Sequence, residues 1–217
     1  MILETILARI ETGIQDPSLT REDDICPLVN EFVAEVSELF TLPDLQEQET
    51  IAIAIADNPA FIAMPDTFAH DLYRVYNEKS LESVSIRSNI KALENLYSGW
   101  GSPGMIQDVA LEHKTLWYRP LPVQDQSLTL FYYREPVSVE FDDEDSVLDG
   151  IPPNLAKIAI DYALKELYAL AEDGIDGQKV NTLYYTDRYN IGLSKIAMHC
   201  KTAPKFTPVI KRSARFF

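Results

Sequence analysis

The chain has 217 residues, of which 46% are hydrophobic and 24% charged, enough apolar surface for a sizeable core and no compositional sign of disorder. Its apolar runs are short and broken by charges, and Met1-Ile-Leu-Glu-Thr5 lacks a basic start. Neither a transmembrane segment nor a signal peptide is expected, and a cytosolic site of synthesis is. The net charge of −15 is uneven: residues 201–217 carry five cations and no acid, and removing those five positives leaves −20 on the rest, which excludes gripping nucleic acid over the body by counterion release. The same acidity suits solubility, or a passage that nucleic acid traverses without sticking.

In chain order, Ile2, Leu3, Ile6, Leu7 and Ile10 predict a short amphipathic helix ending at Gly13. Asp24 is a candidate N-cap for a second helix, with Pro27 in the first turn and an apolar stripe through Leu28, Val29, Phe32, Val33, Val36, Leu39 and Phe40. Leu42-Pro43-Asp44 stops it. Thr50 to Ala56 then alternates with period two, a strand with one bulky and one small face. Further strands are expected at Phe61–Met64, Leu72–Tyr76, Met105–Leu111, Thr115–Tyr118 and Ser127–Tyr133, with one helical interlude through Ile86, Ile90, Leu93, Leu96 and Tyr97.

Glu140 to Asp145 places five acids in six positions without the alternating ligands, central glycine and closing glutamate of a calcium loop, and reads as a solvated linker. Pro152 and Pro153 open a helix of about five turns with Leu155, Ile158, Ala159, Tyr162, Ala163, Leu167 and Leu170 on its apolar face. Asp173-Gly174 and Asp176-Gly177 break it. A second helical pattern follows through Val180, Leu183, Tyr184, Asp187, Ile191, Ser194 and Met198, and the short connection predicts an antiparallel hairpin. The last stretch, from Lys201, has two prolines and no helical period.

The predicted fold class is α+β: a four-helix-type bundle made from the N-terminal helix pair (1–45) and the C-terminal helix hairpin (151–200), a small antiparallel β domain inserted between them (46–150), and an extended basic arm (201–217). Gly99-Trp-Gly101-Ser-Pro-Gly104 has the spacing of a dinucleotide fingerprint, but a helix enters and a strand leaves, the reverse of what places a helix N-terminus under a pyrophosphate. His70, His113 and His199 lie in separate elements without zinc spacing, and adjacency in sequence points His70 and Asp71 apart. Cys26 and Cys200 are expected to be buried thiols rather than a disulfide. No catalytic residue, cofactor or metal site is predicted. Tyr132-Tyr133, Tyr184-Tyr185 with Tyr189, and Trp117-Tyr118 suit either half-buried packing or an interface.

Taken together, Leu28-Val-Asn-Glu-Phe32, Met64-Pro-Asp-Thr-Phe68, Leu72-Tyr-Arg-Val-Tyr76, Gly101-Ser-Pro-Gly104, Tyr118-Arg-Pro-Leu-Pro-Val123, Phe131-Tyr-Tyr-Arg-Glu-Pro136 and Ile151-Pro-Pro153 with Tyr162-Ala resemble the adaptor, or head-to-tail connector, proteins of tailed bacteriophages, over residues 1 to about 200. The resemblance implies a non-enzymatic structural protein of the virion neck, twelve copies in a ring beneath the portal protein, offering its lower face to a tail or nozzle protein while DNA passes through without specific binding. It also implies that the C-terminal arm clasps the portal. Lys201, Lys205, Phe206, Lys211, Arg212, Arg215, Phe216 and Phe217 supply what such docking needs, cations to steer and aromatic anchors to bury. Another tail subunit, such as a tube-completion protein, and an enzyme with a site in the β region remain the alternatives.

Overall fold

A computed structural model describes residues 1–55, 60–97, 103–143, 145–172 and 179–202. The chain divides into two compact units, Leu45–Glu135 and Met1–Asp44 joined by the described part of Pro136–Phe217.

In the helical unit, α1 (Leu3–Ile14) buries Leu3, Ile6, Leu7 and Ile10, the stripe that its spacing dictates. A turn of π-helix at Arg21–Ile25 leads into α2 (Cys26–Leu39), which buries Val29, Phe32, Val33 and Val36. The cap lies one turn earlier than Asp24. Thr20 Oγ1 accepts from the Asp23 amide at 3.1 Å while the Asp24 carboxylate reaches back to accept from the Thr20 amide at 2.7 Å, a reciprocal box at the helix start. Arg21 ties this turn to α1, donating to Glu11 Oε1 at 2.7 Å and Glu4 Oε2 at 2.5 Å.

The C-terminal helices are α4 (Ile158–Ala171) and α5 (Val180–Thr202). The predicted start at Pro152 is six residues early. The Pro152 carbonyl accepts from both the Leu155 and Ala156 amides, so residues 152–157 form successive turns before the regular helix begins. Every residue from Ile158 to Leu164 is buried, which a helix achieves only when packed on all sides. α1, α2 and α5 all pack on it. Val139 is pinned beside α2: Asn30 accepts from its amide through Oδ1 at 2.9 Å and donates to its carbonyl through Nδ2 at 3.0 Å.

In the other unit, β1 (Gln46–Ile53), β2 (Phe61–Ala63), β3 (Phe68–Asn77), β4 (Glu82–Arg87), β6 (Asp108–Glu112), β7 (Thr115–Arg119) and β9 (Gln126–Arg134) form a seven-stranded sheet in the order β1-β9-β3-β4-β6-β7-β2. Two two-residue strands, β5 (Pro103–Gly104) and β8 (Leu121–Pro122), pair separately. Within the large sheet β4 and β6 run parallel, joined through α3 (Ile90–Leu96), since a parallel pair requires a crossover. Val75, Val84, Val109, Leu116, Leu128, Leu130 and Tyr132 contribute to one core.

The expected four-helix-type bundle with a small antiparallel insert is therefore wrong on two counts. The sheet is large and mixed, because Glu82–Arg87 is a strand and the α3 connection turns it into a parallel pair with β6. The helices are not two equal pairs, because α4 is enclosed by the other three. The extended arm predicted beyond α5 falls outside the described residues from position 203.

Candidate interaction surface

α5 carries apolar side chains on two faces, and the structure buries one of them and leaves the other, where they are mixed with charged and polar residues, facing outward. Tyr189 and Ile196 are buried and Gly192 meets α4, whereas Val180, Leu183, Tyr184, Ile191 and Met198 are 59%, 62%, 53%, 57% and 66% exposed. The positions that define the predicted helical pattern are thus the outward-facing ones, running along about 28 Å of the helix at 1.5 Å per residue. These exposed apolar side chains share one helix face, interrupted by Asp187, Ser194 and Lys195, and make it a candidate contact surface.

The buried face explains how α5 is held so that the stripe points outward. A Cβ on Gly192 would lie 2.6 Å from Ile158 Cγ2, so glycine permits the close approach of α5 to α4. Gly192→Val is expected to lower unfolding free energy by about 1–3 kcal/mol through overpacking, checked by denaturant melting. Beside it, the Tyr189 ring packs on Tyr162 (centroids 5.3 Å) and Phe32 (6.3 Å), and its hydroxyl donates to Glu35 Oε1 at 2.9 Å. Burial and the neighbouring Glu35 push the Tyr189 phenol well above its ordinary range. Lys165 Nζ lies 4.5 Å from the Tyr162 centroid and 4.9 Å from that of Tyr189. Tyr168 and Tyr185 stack at 5.5 Å across the same helix pair.

The α5 N-terminus is capped from α4. Glu172 follows the last residue of α4, accepting from the Asn181 amide at 3.1 Å, the Thr182 amide at 3.2 Å and Thr182 Oγ1 at 2.7 Å. These bonds, led by the Thr182 hydroxyl, hold its carboxyl below the usual range. They satisfy amides that a helix start leaves unpaired and place a negative charge at the positive end of the helix dipole.

Asp161 of α4 is buried, with Arg188 Nη2 of α5 2.9 Å from its Oδ1. That oxygen nevertheless lacks a well-aligned hydrogen bond. Burial raises the Asp161 pKa above its ordinary 3.8, against the opposing pull of Arg188, Lys157 and Lys195. A carboxyl whose folded pKa is raised adds stability below its unfolded pKa and loses it as pH rises to the folded value. Asp161→Asn removes that titration, so the melting temperature of the variant relative to wild type is expected to rise between pH 3.5 and 7. An unchanged difference across that range would contradict the assignment.

Of the predicted arm residues, Lys201 lies in the last turn of α5, exposed beyond Met198. Lys205, Phe206, Lys211, Arg212, Arg215, Phe216 and Phe217 lie outside the described residues. The tyrosines divide: Tyr118, Tyr132 and Tyr189 are core residues, while Tyr184 is on the exposed stripe, with the Arg188 guanidinium 5.5 Å from its ring centroid. Burial, with the Glu47 and Glu49 charges, pushes the Tyr132 phenol up to about 12. His70 and Asp71 do not point apart. Asp71 has φ 51°, and the left-handed kink in β3 brings its Oδ2 within 3.1 Å of His70 Nδ1. Gly99 and Gly101 lie outside the described residues, and Gly104 belongs to β5. Cys26 is buried and Cys200 half-buried, both free thiols. Among the described residues, no group of three or more His, Cys, Asp or Glu is placed to hold a metal ion, and no helix is long and apolar enough to cross a membrane.

The exposed apolar side chains of α5 are the candidate contact surface of the helical unit. The family of SU10 adaptor proteins matches residues 1–204, and the chain belongs to this family of phage head–tail adaptors. It is accordingly a structural component of a bacteriophage virion that assembles with other virion proteins. No curated protein matches the chain.

Proposed function

We propose that the protein forms a ring at the virion neck, twelve copies beneath the portal protein, joining it to a tail or nozzle protein and surrounding the passage for DNA. It is made in the host cytoplasm and acts without catalysis or a cofactor. The family match across residues 1–204 carries this reading. The net charge of −15 supports the passage, because an acidic wall repels phosphates and lets DNA slide without specific binding.

The segment beginning at Lys201, with Lys205, Phe206, Lys211, Arg212, Arg215, Phe216 and Phe217, is the portal-docking arm in this reading. Its five cations steer it to an acidic partner and its terminal aromatic pair fills pockets there. Sedimentation of the protein with purified portal rings tests the reading. Full-length protein is expected to co-sediment as a ring of many copies, and a variant lacking residues 203–217 to keep its melting temperature while losing at least tenfold in co-sedimentation. Equal co-sedimentation of the two would overturn the role of the arm, and no co-sedimentation of full-length protein would overturn the portal assignment.

A further inference from the structure

Two exposed features of the helical unit carry opposite charge. The first is the α5 stripe. Leu183, Tyr184 and Ile191 project from it, and the 3.6-residue period places Arg188 and Lys195 along one margin and Lys201 along the other, with Asp187 the acid among them. The second is a cleft of about 270 Å³ where α2 begins, closed on one side by residues 139–142. Its lining mixes Cys26, Pro27, Val139 and Phe141 with Asn30 and the acids Glu22, Glu140 and Asp142. Phe141 is 39% exposed although it lines the cleft, so an apolar surface there is left facing water.

We propose that the α5 stripe of one copy packs against the acid-rimmed cleft between α2 and residues 139–142 of a second copy of this chain. Charge selects this pairing over the self-pairing of α5. A second α5 offers those cations a single acid, Asp187, whereas the cleft offers them three carboxylates. Apolar contact flanked by opposite charges is the usual arrangement of an interface core and rim. Because the two surfaces differ, the contact is head-to-tail, the kind that builds a ring when its repeated rotation closes. The inference rests on the adaptor-ring reading and assigns to it the residues that join neighbouring copies. It also gives Glu140 and Asp142 a role, as the rim that receives a neighbour's cations.

Charge exchange in the full-length protein tests it. Lys195→Glu with Lys201→Glu is expected to reduce ring formation on portal rings at least tenfold, and so is Glu140→Lys with Asp142→Lys. All four substitutions together restore the opposite pairing and are expected to return ring formation to within about threefold of wild type. Thermal melting of each variant reports that the surface changes leave the fold intact. Wild-type ring formation by either reversed pair, or failure of the four-fold variant to recover, would overturn this interface and leave the adaptor reading standing. If wild-type protein binds portal rings only as isolated copies, both the ring reading and this interface fall.

Discussion

Replacing Ile191 with aspartate is expected to leave the melting temperature of the isolated protein within about 2 °C of wild type and to reduce assembly onto portal rings by at least a hundredfold. Ile191 is 57% exposed, so the substitution removes little that folding buries. Its cost falls on assembly, where a carboxylate enters an apolar contact without a partner, and a few kcal/mol there is a factor of a hundred or more. Leu183→Asp is expected to behave alike. Ile196 on the opposite face is 1% exposed, and Ile196→Ala is the contrasting variant, expected to lower stability by about 2–5 kcal/mol with its assembly defect explained by unfolding. Comparing melting curves with sedimentation of the same preparations separates the two outcomes.

Asn77→Ala is expected to cost about 2–4 kcal/mol of unfolding free energy. Asn77 is fully buried at the end of β3 and satisfies four neighbours at once. Its Nδ2 donates to the Ile106 carbonyl at 3.1 Å and to Gln126 Oε1 at 2.7 Å, and its Oδ1 accepts from the amides of Lys79 at 2.9 Å and Ser80 at 3.2 Å. Alanine leaves the Ile106 carbonyl and two turn amides without these partners, and each buried group left unsatisfied costs roughly 1–3 kcal/mol. Gln126 Oε1 keeps a second donor, the Ile106 amide at 3.2 Å, which moderates the loss. Urea melting measures the change, and a cost below 1 kcal/mol would show that water replaces the side chain.

A second polar cluster, half-buried, forms around Asp108. Arg87 Nε donates to Asp108 Oδ1 at 2.6 Å and the Tyr97 hydroxyl donates to Asp108 Oδ2 at 2.5 Å. Burial, reinforced by that carboxylate, pushes the Tyr97 phenol up to about 12. The cluster ties α3 to β4 and β6, and so fixes the crossover that makes the sheet mixed. Its members are scattered over twenty residues in sequence, with no local spacing to announce them.

What sequence reading caught and what it missed follow from how far each signal reaches. The α1 and α2 stripes are local amphipathic patterns, and most of their residues are buried where the period places them, with Ile2 and Leu39 at the helix ends left exposed. β4 was hidden because Ile86 lies four residues before Ile90 and seven before Leu93, a helical spacing, although Val84 and Ile86 alternate as a strand does. Losing that strand also lost the parallel pairing. The α4 start was hidden because Pro152 favours both a helix entry and a turn, and the amides of Leu155 and Ala156 decide for turns. The α5 error is the informative one. Val180, Leu183, Tyr184, Ile191 and Met198 recur at helical spacing, so pattern alone assigns them to the core, whereas Gly192 and the tyrosine hydroxyl partnered by Glu35 seat the face of Tyr189 and Ile196 inward. A helix left with apolar side chains on its outer face suits a subunit built for a contact.

Hydroxyl-radical footprinting of the free protein and of assembled virions tests the central claim most directly, because Tyr184 and Met198 on the stripe are both exposed and readily oxidised. The account predicts that assembly lowers their modification at least tenfold, while Tyr73, exposed in the other unit, serves as an independent reference. Modification of Tyr184 and Met198 in the virion at the rate of the free protein would contradict it.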